Sequence, residues 1–147
     1  MTTSHLCRKL YVLAGAGGNI IVPPDGKLLV AGDTWFNGFY PFIDNHNGGT
    51  LEGTLMASAC NEHRVNDDTI IVPGMSVGDK SHLLEYGRKL NSIHERVAGL
   101  KRRGRSLSET LAAKPAAELY SKWGGPWIGP GTLATLVYTG VPGGDTL

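Results

Sequence analysis

The chain opens with short β-prone runs separated by turn residues. Leu10-Tyr11-Val12-Leu13, Asn19-Ile20-Ile21-Val22 and Lys27-Leu28-Leu29-Val30 are too short for helices and rich in β-branched or large apolar side chains. Gly15-Ala16-Gly17-Gly18 separates the first two runs, and Pro23-Pro24-Asp25-Gly26 separates the second from the third. The latter is suited to a tight turn: proline presets φ, aspartate bonds its own backbone, and glycine accepts positive φ. The pattern predicts a tail over residues 1–9 and a strand meander over 10–30, ending in a hairpin. Residues 31–49 hold Trp35, Phe36, Phe39, Tyr40 and Phe42 among Asn, Gly and Pro, which predicts a long, structured loop.

From residue 50 the apolar period lengthens to three and four. Thr50 is placed to cap a helix over 51–64, with Leu51, Leu55, Met56 and Ala59 on one face. Thr69-Ile70-Ile71-Val72 predicts a short buried strand closed by Pro73-Gly74. A second helix is expected over 80–101, with an apolar stripe of Leu83, Tyr86, Leu90, Ile93, Val97 and Leu100. Lys101, Arg102 and Arg103 at its end suit the negative pole of the helix dipole. Ser106 followed by Glu109 forms a capping box for a helix over 107–113. A short helical turn at 118–123, a final helix at 132–139 and a glycine-rich tail at 140–147 complete the pattern. Residues 50–139 thus read as helices around one buried strand, and the whole of 1–147 as one domain of the α+β class.

Composition narrows the function classes. The chain has 147 residues, 41% hydrophobic and 18% charged, with regular apolar segments, so it is not a disordered sequence. Its net charge of +1 provides no general attraction to nucleic acid or to an anionic membrane, and neither is expected as a partner. No apolar run approaches the ~20 residues of a membrane helix. The apolar run behind Arg8-Lys9 is short and continues into a strand-like segment, so no leader is expected and the location is read as cytoplasmic. Cys7 and Cys60 read as two free thiols in a reducing compartment.

Most local motifs fail on inspection. The Gly15–Gly18 cluster lacks the third glycine of a dinucleotide loop, since Ile20 stands there, and it leads into a strand rather than a helix. Lys101-Arg102-Arg103-Gly104-Arg105 has no interleaved aromatics and reads as a solvated helix end. There is no G-x-S-x-G nucleophile elbow. Cys60 and His63 are spaced one helical turn apart and can share a metal, and a site built on them would recruit His46. His94 beside Ile93 reads as a partly buried packing residue, and His82 as solvated. Asp33 ends an apolar strand, a common position both for a ligand and for a turn.

Longer blocks carry a family resemblance. The run from Val30-Ala31-Gly32-Asp33-Thr34-Trp35 through Phe42-Ile43-Asp44 and Gly48-Gly49 resembles the C-terminal half of metallo-β-lactamase-fold hydrolases. So do Ile71-Val72-Pro73-Gly74, Gly78-Asp79-Lys80 at the start of the long helix, and Ala113-Lys114-Pro115. Tyr11 to Ile20 resembles the family's opening strands. The resemblance implies a partial αββα sandwich and a zinc-dependent hydrolase ancestry, with esters, thioesters, lactams or phosphodiesters as the substrate class. It also implies ligand positions. Asp33 matches the family's bridging carboxylate, and Met75 stands where the family has a ligand histidine after Pro-Gly. The H-x-H-x-D-H segment has no counterpart.

The expectation is therefore a truncated member of that family without a complete zinc site, inactive or weakly active alone, with zinc absent or substoichiometric. The alternatives are a zinc hydrolase with a metal site rebuilt from Cys60, His63 and His46, and a non-enzymatic oligomeric scaffold. A second copy or a complementary fragment is the expected partner, covering apolar surface left by the missing segment. Asp33, flanked in sequence by Leu29, Trp35 and Phe36, is expected to lose hydration, so that Asp33→Asn would be neutral or stabilising.

Overall fold

A computed structural model describes residues 2–7, 10–15, 18–22, 27–117, 123 and 127–142, with the backbone alone described up to residue 22. Its strands are β1 (Thr2–Cys7), β2 (Leu10–Gly15), β3 (Gly18–Val22), β4 (Leu28–Gly32) and β5 (Ile70–Pro73). Its helices are α1 (Leu51–Glu62), α2 (Lys80–Arg102), α3 (Leu107–Ala112) and α4 (Pro130–Gly140), with a 3₁₀ turn at Asn45–Asn47. The fold is α+β. The strands form one sheet in the order β1-β2-β3-β4-β5, antiparallel as far as β4 and parallel between β4 and β5.

The tail expected at 1–9 is corrected: residues 2–7 form strand β1, with Thr2 opposite Ala14 and Ser4 opposite Val12. The run Thr-Thr-Ser-His-Leu-Cys has no apolar alternation, and at the sheet edge it pairs through its backbone. The expected turn at Pro23–Gly26 lies outside the described residues, as do 118–122 of the short helical turn and 143–147 of the tail.

The chain forms two compact units, residues 1–37 with 53–88 and residues 38–52 with 89–147. In the first, β4 and β5 are in register, Leu29 beside Ile71 and Val30 beside Val72. Leu29, Ala31 and Ile71 are buried, whereas Leu28 and Ile70 are 37% and 56% exposed. Side chains alternate across a strand, so one face of this pair is covered and the other partly open, with Val30 and Val72 on it half-buried. Trp35, Leu83 and Tyr86 complete this core, with the Trp35 and Tyr86 rings edge-on at 6.4 Å between centroids.

Helix α1 buries only part of the face expected of it: Leu51 is buried and Leu55 half-buried. Met56 is 70% exposed and Ala59 is exposed, whereas Ser58 and Asn61 are buried. Two of the inward positions of α1 are thus polar. One reason is steric: a Cβ at Gly87 of α2 would lie 3.3 Å from Ser58 Oγ and 3.0 Å from Glu62 Oε1, so the two helices pack closely through small or flexible groups. Asn61 also donates from Nδ2 to Thr34 Oγ1 at 3.3 Å, which ties α1 to the end of β4.

In the second unit α2 buries Leu90, Ile93, Val97 and Ala98, and α4 buries Leu133, Ala134 and Val137. The aromatic-rich loop is pinned to backbone carbonyls. Tyr40 donates its hydroxyl to Ala116 O at 2.9 Å, and Asn45 Nδ2 donates to Leu136 O at 2.8 Å. The capping box at Ser106 and Glu109 is formed. Lys101 donates from Nζ to Tyr138 O at 2.8 Å and to Val141 O, so it satisfies carbonyls at the end of α4. Lys89 stacks over the buried Trp123 ring at 5.0 Å. Among the described residues, no helix is long and apolar enough to cross a membrane.

Candidate functional site

The parallel strands β4 and β5 end side by side, and the loops that follow them meet. Such carboxyl ends are where parallel sheets present functional groups. Gly32 has φ +51°, a conformation that favours glycine, and it starts a turn in which Thr34 N donates to Ala31 O and Trp35 N to Gly32 O. Thr34 Oγ1 also donates to Ala31 O at 2.7 Å. This turn carries Asp33 over Gly74: a Cβ there would lie 2.5 Å from Asp33 Oδ1 and 3.4 Å from Phe36 Cε1. Gly74 N donates to Trp35 O at 3.0 Å and fixes the approach. Beyond it come half-buried Met75, Ser76 with φ +63°, and Val77, whose carbonyl accepts from Asn37 Nδ2 at 3.0 Å.

The structure thus brings together Asp33 and the Pro73-Gly74-Met75 segment. It corrects the expected environment of Asp33, which is exposed rather than dehydrated. The Phe36 ring stays close to it, since Asp33 Oδ1 and Phe36 Cε1 both lie over Gly74, but the carboxylate keeps its access to solvent. Asp33→Asn is therefore expected to change unfolding free energy by no more than about 0.5 kcal/mol, as for exposed positions generally. Paired chemical melts at pH 7 check this, and a gain well beyond that range would restore the dehydrated reading.

The remaining ligand candidates are spread out. Cys60 is a half-buried free thiol on α1, and its carbonyl accepts from Arg64 Nη1 at 2.7 Å. His63 follows α1 and is exposed. His46 is exposed in the 3₁₀ turn of the second unit, where Asp44 caps the turn by accepting from Asn47. Among the described residues, no three His, Cys, Asp or Glu side chains gather to hold a metal ion. A zinc site needs about three protein ligands of N, O or thiolate type. At the β4–β5 end, Asp33 supplies a carboxylate and Met75 only a thioether, a poor partner for zinc. This donor set does not fit zinc.

Two histidines have carboxylate partners, one distant in sequence and one local. His94 Nε2 lies 2.7 Å from Glu52 Oε1, a half-buried contact within the second unit between residues 42 positions apart. The first-turn position of Glu52 on α1 was the only local signal, since acids favour helix starts. His82 is exposed as expected, but it contacts Asp79, the residue preceding α2. Asp79 Oδ1 accepts from Ser81 Oγ at 2.6 Å, from His82 N at 3.0 Å and from His82 Nδ1 at 2.8 Å.

The Ser81 bond, followed by the His82 amide, holds the Asp79 carboxyl down at about 2, from an ordinary 3.8. A depressed carboxyl stabilises the fold above the unfolded value, and that contribution is lost as pH falls from about 3.8 through about 2. The His82 amide resonance should therefore titrate with a midpoint near 2 rather than near 3.8. Asp79→Asn should abolish that titration, and a midpoint at the ordinary carboxylate value would show that the Ser81 and His82 bonds to Asp79 are not formed.

No protein-family model matches this chain, and no curated protein matches it.

Proposed function

We propose that this chain is a partial αββα sandwich of the metallo-β-lactamase type that lacks a complete zinc site and does not by itself carry out zinc-dependent hydrolysis. The observation that carries the reading is the meeting of Asp33 with Pro73-Gly74-Met75 at the adjoining ends of β4 and β5. In the family that the sequence resembles, a carboxylate and a Pro-Gly-His turn supply metal ligands. Here the carboxylate is kept and the histidine is replaced by Met75. The histidines that remain, His5, His46, His63, His82 and His94, include no pair two residues apart, so no H-x-H element is present anywhere in the chain.

Zinc hydrolysis depends on an ion that lowers the pKa of its bound water to about 7, and the ion must be held by several ligands while one position stays open. Asp33 alone does not hold such an ion, and no hydrolytic step follows from the residues at this end of the sheet.

Metal content tests the reading directly. After dialysis at neutral pH the purified protein should retain well under one equivalent of zinc, measured by atomic emission. Met75→His should not raise it to one, because the H-x-H-x-D-H ligands are still missing. Stoichiometric zinc in the unaltered protein would overturn the proposal and favour a site rebuilt from Cys60, His63 and His46.

A further inference from the structure

We draw no further inference here: the strongest candidate, the apolar face of β4 and β5 that carries Leu28, Val30, Ile70 and Val72, is a partly open sheet face, and nothing in the structure shows what covers it.

Discussion

Trp35→Ala should cost about 3–5 kcal/mol of unfolding free energy, the range for removing a large buried aromatic. Trp35 has no exposed surface, and its indole meets the Tyr86 ring edge-on. Tyr86 is itself fully buried, and burial pushes its phenol well above the usual tyrosine range, so it stays neutral in this core. Truncation would remove the ring contact and leave a void between the β4 loop and α2 that rigid neighbours refill only in part. Trp35→Phe should lose less, because a ring remains against Tyr86. Urea unfolding followed by circular dichroism measures both, without relying on tryptophan fluorescence. A loss below about 1 kcal/mol for the alanine variant would place Trp35 outside the core, since core truncations cost more than that.

The long helix was legible because its buried positions are apolar and evenly spaced. Leu83, Tyr86, Leu90, Ile93 and Val97 are all buried, as the stripe requires, and Leu100 is half-buried. The capping box at Ser106 is legible because it is local, an interaction between residues three positions apart. Helix α1 is legible in its place and in its buried Leu51, but not in the whole of its inward face. Its inward positions include Ser58 and Asn61, which a hydropathy pattern assigns to solvent, while Met56 stands exposed. Strand β1 is not legible because its run has no apolar alternation, and an edge strand pairs through its backbone without needing one.

At the candidate site, sequence named residues but not their surroundings. Asp33 and Gly74 lie far apart in the chain, and their contact depends on the parallel pairing of β4 with β5, which local pattern does not specify. The exposure of Asp33 follows from the Gly32 turn, whose positive φ redirects the chain at the strand end. The Glu52–His94 contact likewise joins distant segments, so the packing role read for His94 omitted its polar partner.

Gly78→Ala should destabilise the protein by about 1–3 kcal/mol, the usual cost of overpacking a rigid site. Gly78 does not need glycine for its φ, which lies outside the left-handed region; it needs it for space. An added Cβ would collide with Trp35 Cη2, at 3.2 Å from Cζ2 and 3.0 Å from Asn37 Nδ2. Neither side yields easily. The indole is locked in the core, and Gly78 is bonded to Ile71 in both directions, at 2.9 and 3.0 Å. Moving the backbone away would break those bonds. Gly74→Ala is the informative contrast, since its Cβ would meet the carboxylate end of exposed Asp33, which can swing aside. It should cost less. The source of the Gly78 penalty is separable by a double-mutant cycle with Trp35→Phe, because the smaller ring lacks the atoms that the new methyl would strike. In that background Gly78→Ala should be markedly cheaper. Equal costs in both backgrounds would show that the indole is not what excludes a side chain at position 78.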